Sequence, residues 1–287
     1  MAGLGPPGTE STRRMQIRIG YEIAFEVPQP TPMVLMLNVR PERAADLVTP
    51  DFIRTSPSLA ISRYYDLYGN LCSRVMAPAG TVTFQADTVI NDPGVLDPYA
   101  PDAPQLPIDR LPAETLIYLL GSRYCETEKL LEFAWAQFGH LPDGWSKVEA
   151  IVQYTHNHIT FGYQNARATR TAFEAWQERM GVCRDFAHLA LTLCRCMNIP
   201  ARYCTGYLGD IGVPPDRAPM DFSGWFQVYL GDRWYTFDAR HGRPRIGRVL
   251  IGIGRDAADV AISTIFGPNL LKTFRVITEE VGAPVFT

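Results

Sequence analysis

Residues 181–208, GVCRDFAHLALTLCRCMNIPARYCTGYL, decide the fold. Phe186, Ala187, Ala190, Cys194 and Met197 recur three or four residues apart, on the face that Cys183 begins, which predicts an amphipathic helix from 183 to about 198. The β-branched and aromatic run that follows predicts a strand from 201. Cys183 therefore stands in a first helical turn, where backbone N–H groups lack partners and the positive end of the helix dipole favours thiolate over thiol. Asp185 opposes that effect with a negative charge, and Arg184 offsets part of it. On composition alone a buried structural cysteine is the default reading; the helix-start position brings a nucleophilic cysteine level with it.

Residues 225–239, WFQVYLGDRWYTFDA, carry Gly231-Asp232 as a two-residue turn, so Leu230 pairs with Arg233. Counting outward, Val228 opposes Tyr235 and Phe226 opposes Phe237, which makes an apolar face. Trp225 and Ser223 fall opposite Asp238 and Arg240, with Ser223 and Asp238 diagonal neighbours. An acid held on such a hairpin is what a cysteine–histidine–aspartate site needs to orient its base.

Upstream, residues 15–91 are β-rich. Ile17, Ile19, Tyr21, Ile23 and Phe25 alternate with polar neighbours, and strands are also expected in MVLMLNVR, in TVTFQADTVI and on both sides of the DLYGN turn at 66–70. A small antiparallel all-β domain is the expected result. Residues 92–112 with Asn91 hold six prolines, too many for regular structure, and read as a linker or an arm laid across a surface. From 113 to 287 helical and strand patterns alternate, with helices expected over 113–124, 126–139, 146–159 (Ser146 as its N-cap) and 171–180. Further strands are expected in ITFGYQ, RVLIGI and KTFRVITEEV. The order predicts an α+β domain of helices leading into an antiparallel sheet.

A net charge of −3 gives no basic field for nucleic acid or anionic lipid. No apolar run approaches the ~18 residues that span a bilayer. Residues 1–14 hold no apolar segment of the secretory kind and read as a disordered leader, so a cytoplasmic protein is expected. Cys194 and Cys196 lie ~200° apart on a helix, poor geometry for a shared metal. Buried, inert thiols are the reading for Cys72, Cys125, Cys194, Cys196 and Cys204, with no metal and no cofactor expected.

Taken together, 181–208 and GWFQVYLGDRWYTFDARH (224–241) resemble the nucleophile helix and the following strands of the bacterial transglutaminase-like superfamily, whose members are described as cysteine proteases. The resemblance covers about 113–287, and the β-rich region resembles the one that accompanies this core in bacterial members. It implies a papain-like arrangement, cofactor-free amide chemistry on a protein or peptide substrate, Cys183 as nucleophile and Asp238 as orienting acid. The family's histidine normally opens a His-Ala-Trp segment; here Ser223-Gly224-Trp225 aligns with it, and serine is no general base near pH 7. His188 lies ~140° around the helix from Cys183 and reads as structural. His156 and His158 close an earlier helix, and His140 falls in a loop. His241 remains as substitute base, provided the chain bends after Asp238, as Gly242 and Pro244 suggest. Two functions are compatible with this pattern: a cysteine amidase or acyltransferase, and a catalytically impaired relative that binds peptides or proteins.

Overall fold

The computed structural model describes residues 15–214 and 220–282; the expected leader, 1–14, lies outside the described residues. Six strands come first: β1 (Met15–Val27), β2 (Thr31–Leu35), β3 (Arg54–Ser56), β4 (Ser62–Tyr65), β5 (Leu71–Ala77) and β6 (Gly80–Asp92). The second half contains α1 (Thr127–Phe138), α2 (Trp145–His158), β7 (Thr160–Phe161), α3 (Ala172–Glu178), β8 (Met180–Gly181) and α4 (Cys183–Cys196). Then follow β9 (Ala201–Tyr207), β10 (Ser223–Leu230), β11 (Arg233–Phe237), β12 (Val249–Gly254), β13 (Ser263–Ile265) and β14 (Leu270–Glu280). The result is an α+β protein with antiparallel sheets in orders 14-1-6-3, 13-2-5-4 and 11-10-9-12, and a short parallel pair, β7 with β8.

The alternation in β1 does what its period requires: Ile17, Ile19, Tyr21, Ile23 and Phe25 are all buried. Between them Gly20 lies so close to β6 that a Cβ would stand 2.6 Å from the Ala86 carbonyl oxygen, which makes this position a glycine. The sequence reading grouped residues 263–280 with the second half of the chain. Their hydrogen bonds instead run to the first half, β13 to β2 and β14 along nearly all of β1, from Ile17↔Glu280 to Glu26↔Leu270. Both strands satisfy sheet edges that the first six strands leave open.

α4 packs on β9 and β10 and is surrounded by α1, α2 and α3, so every residue from Asp185 to Cys196 is buried. The β10–β11 hairpin has the expected register, Leu230↔Arg233, Val228↔Tyr235 and Phe226↔Phe237, with Gly231 at φ 60° in its turn. Pairing ends there, so Trp225 and Ser223 face β9, at Cys204 and Gly206, rather than Asp238 and Arg240. The proline-rich segment is an arm across the surface: Ala103 accepts from the Trp145 N–H, Pro104 from the Gly231 N–H, and Gln105 donates to Met197.

Two local expectations differ. Residues Ala113–Leu119 form a 3₁₀ helix whose buried residues, Thr115 and Tyr118, are three apart, matching three residues per turn. α2 opens at Trp145 on Gly144 (φ 105°), and Ser146 is no N-cap; its hydroxyl donates back to the Pro142 carbonyl. Only glycine holds that φ without strain.

The first half is locked to the central sheet by Asn70, which no local pattern marks. It ends the hairpin turn shaped by Asp66, whose carboxylate accepts from the Tyr68 and Asn70 N–H groups. Its buried amide then pairs with both backbone groups of Ile253 on β12, accepting at 2.9 Å and donating at 2.8 Å, and also accepts from Arg40. Replacing Asn70 by leucine removes these three bonds and the one its amide donates to Asp66, and strands buried polar groups. A loss of roughly 2–3 kcal/mol is expected, read as a lower urea midpoint with unchanged slope.

Candidate thiol site

The start of α4 is fixed by a carboxylate. The Asp185 Oδ2 accepts from the Val182 N–H at 2.9 Å and from the buried Arg170 at 3.1 Å. A Cβ on Gly181 would meet that carboxylate at 2.6 Å, so the approach to the helix is glycine-dependent. Asp185 is thereby engaged away from the thiol. The charges that act on Cys183 come from Asp221, Arg240 and Asp238 instead.

Cys183 is half-buried, and its Sγ accepts from the Gly224 N–H at 3.4 Å. A methyl group at 224 would run into the Tyr203 hydroxyl on β9, so Tyr203 restricts residue 224 to glycine and keeps that N–H on the sulfur. Burial pushes the thiol up to about 11, the Gly224 N–H and Arg240 counteracting only in part. This reverses the lowering expected from the helix dipole: taking the sulfur out of water outweighs the favourable charge around it.

The thiol separates two spaces. A small cavity of about 50 Å³ is lined by Phe161, Tyr163, Asp221, Ser223 and Arg240. An open groove of about 620 Å³ runs past Tyr124, Arg184, Tyr203, Phe222 and Phe274. Ser223 opens β10 beside the thiol, buried, its hydroxyl without a hydrogen-bond partner among the described residues. Ser223 thus faces the cavity that Cys183 lines, and its side chain is no base near pH 7.

Asp238 follows β11 and is fully buried. Its carboxylate accepts from the His241 Nδ1 at 2.8 Å, the His241 N–H at 3.0 Å and the Arg248 guanidinium at 2.9 Å. Burial alone would raise its pKa, but Arg248 and His241 outweigh it and hold the carboxyl well below the usual carboxylate range. The chain does bend after Asp238: the Gly242 N–H returns to the Asp238 carbonyl, with Gly242 at φ 62°. The bend brings His241 onto Asp238. On its far side, 3.3 Å from Nε2, stands Arg240. Arginine only donates, so Nε2 offers its lone pair to Arg240 and Nδ1 carries the hydrogen given to Asp238. No hydrogen bond joins the ring to Sγ. Arg240, stacked 4.0 Å over Phe161, reaches both the ring and the cavity of the thiol.

His140 is exposed, away from the thiol site, and the other three histidines serve the scaffold. His188 is fully buried, stacked on Tyr124, and accepts from the Ala257 N–H; burial first, then Arg184 and Arg195, hold it well below its ordinary pKa. His156 supports the Asp238–Gly242 bend through the Ala239 and Arg240 carbonyls, and His158 bonds Tyr154 and Trp176. Cys72, Cys125, Cys194, Cys196 and Cys204 are buried free thiols. Among the described residues, no group of three or more His, Cys, Asp or Glu is placed to hold a metal, and no helix is long and apolar enough to cross a membrane.

A thiol at the head of a buried helix, against an antiparallel sheet with an acid just beyond the end of its β10–β11 hairpin, defines a class of cysteine site. Residues 134–239 match the core of the transglutaminase-like superfamily, and the chain carries a transglutaminase-like domain. The whole described fold resembles a protein from Cytophaga hutchinsonii named a putative cysteine protease, with TM-score 0.82 and 29% identity over 96% of this chain and 93% of that one. A stretch of 94 residues is 34% identical to the uncharacterized protein ML0607 of Mycobacterium leprae (strain TN), covering 32% of this chain. The match spans about one third (33%) of that relative's length. The periplasmic domain of TgpA from Pseudomonas aeruginosa is more distant, with TM-score 0.40 and 12% identity over 78% of this chain and 88% of that one.

Two outcomes follow from this geometry. Iodoacetamide should label Cys183 before the five buried cysteines, slowly at pH 7, with a rate that rises toward pH about 11; Arg240→Gln should move that midpoint higher, as followed by peptide mass spectrometry. Asp238→Asn leaves Arg248 short of one carboxylate and should cost roughly 3 kcal/mol at pH 7. Because the folded carboxyl titrates below the ordinary ~3.9, its stabilisation is complete above about pH 5 and fades as pH falls through 4. Urea titrations at pH 7 and pH 3 should therefore differ less for the variant than for the wild type.

Proposed function

We propose that the protein is a transglutaminase-like cysteine enzyme acting on amide bonds of a protein or peptide, with Cys183 as nucleophile and His241, held by Asp238, as displaced base. The observation that carries this reading is that the acid on the hairpin still orients an imidazole, although the ring comes from the bend after it and not from position 223. In the reaction the Cys183 thiolate adds to a carboxamide carbon, the tetrahedral adduct expels the amine, and a thioester remains. Water or a second amine then attacks the thioester and frees the sulfur. His241 would accept the thiol proton and return it to the departing nitrogen. With Arg240 on Nε2, that transfer requires a bridging water or displacement of Arg240. The open groove of about 620 Å³ beside the thiol suits an extended peptide. The free cysteines suit a reducing compartment such as the cytoplasm.

A second reading, a peptide- or protein-binding module with little or no turnover, is favoured by the thiol at about 11 and by Ser223 in the base position. Ammonia release from glutamine-containing peptides, and peptide cleavage, separate the two. On the enzyme reading the wild type turns over, Cys183→Ala does not, and His241→Ala loses about 10²-fold or more. If the wild type matches Cys183→Ala while Ser223→His acquires activity, the site is a binding site that has lost its base.

A further inference from the structure

Behind the thiol site, between the β1–β6 region and the outer face of β9–β12, lies a separate cavity of about 470 Å³, within the ~300–1,000 Å³ range of small-molecule sites. Five arginines line it, Arg40, Arg43, Arg202, Arg245 and Arg248, against three carboxylates, Glu42, Asp92 and Asp97. The carboxylates are already taken: Glu42 pairs with Arg40, Asp92 with Arg43 and Asp97 with Arg248. Two arginines are left with no carboxylate within 4 Å among the described residues. Arg202 donates to the neutral Gln227 amide and stacks 4.1 Å over Trp234. Arg245, only 4% exposed, donates to the Gly209 carbonyl, and its Nε has no partner. The Nη1 of Arg248, on a side chain 7% exposed, is a second buried donor without a partner.

Buried arginine is normally matched by a carboxylate or a full set of acceptors, because an uncompensated guanidinium in low dielectric is costly. Here burial lowers the pKa of both Arg202 and Arg245, and the more distant carboxylates, Glu42 for Arg202 and Asp238 for Arg245, offset it only in part. Planar donor forks that converge on one cavity fit carboxylate and phosphate oxygens. Exposed Val95 and Leu96 on the arm add an apolar border.

We infer that this cavity is a binding site for a small organic oxyanion, a compound with two or more carboxylate or phosphate oxygens, held by Arg202, Arg245 and Arg248. The site shares no lining residue with the thiol cleft and stands whether or not Cys183 is catalytic.

The test is isothermal titration of the intact protein at low ionic strength with pyrophosphate and, separately, citrate. One-site binding of either anion, weakened by added salt, is the expected result, and the preferred anion tells phosphate from carboxylate ligands. Arg202→Gln, on a partly exposed side chain, should weaken binding about tenfold. Leu96→Glu sets a negative charge on the exposed border without disturbing the core and should weaken it too, so the site stays testable if Arg202→Gln fails to fold. No heat with either anion at millimolar concentration overturns the assignment. So does binding that a folded Arg202→Gln and Leu96→Glu both leave unchanged.

Discussion

One guanidinium holds the second half of the molecule in register. Arg248 is buried between Asp97 on the arm and Asp238 after the hairpin, at 2.9 Å from each. Charges taken this far from water are tolerated only when their hydrogen-bonding capacity is nearly filled, and here the requirement propagates. Asp238 must also bond His241 twice, which fixes the bend. The bend places Arg240 against Phe161 and the thiol cavity. Asp97 accepts from the Arg245 backbone as well, so the arm is held to the segment between the bend and β12. The thiol and the anion cavity thus sit on opposite sides of one ion pair.

On the thiol side the balance is between solvation and charge. A helix N-terminus, an N–H on the sulfur and a nearby guanidinium all favour thiolate, yet the neutral thiol prevails because the sulfur is largely shielded from water. Geometry and chemistry are separable here. Backbone pairing of β10 with β9 puts residue 223 beside the sulfur whatever its side chain, so the frame persists with serine in that position. The same pairing lets Tyr203 select glycine at 224, a restriction that acts on the backbone alone.

Much of this was legible in the sequence because it is local. The two-residue turn at Gly231-Asp232 sets the β10–β11 register by counting, the period of α4 places Cys183 at its head, and the alternation in β1 declares its buried face. What escaped depends on partners far along the chain. Nothing near Asn70 announces that its amide completes β12 some 180 residues later (|i−j| = 183). Nothing around Arg248 marks it as the partner of both Asp97 and Asp238. The bend after Asp238 was readable from Gly242 and Pro244, but where it would aim His241 was not, because competing acceptors and donors decide that. At 113–119 a helical composition misled, since spacing of the buried residues by three favours the tighter helix. Strand partners were least legible of all, because β13 and β14 answer to open edges formed more than 180 residues earlier.

The pairing of β14 with β1 also has a consequence for biosynthesis. The N-terminal sheet emerges from the ribosome first, yet β1 keeps one open edge until residues 270–280 have been made. At elongation rates of about 5–20 residues per second, that edge stays unpaired for on the order of ten seconds or more. During that interval the nascent protein presents a long, apolar, hydrogen-bond-ready strand. Closing it depends on a contact of high sequence separation, the slow kind in folding. The charged outward residues of β1, Arg18, Glu22 and Glu26, then guard the growing chain against pairing with its neighbours on the polysome.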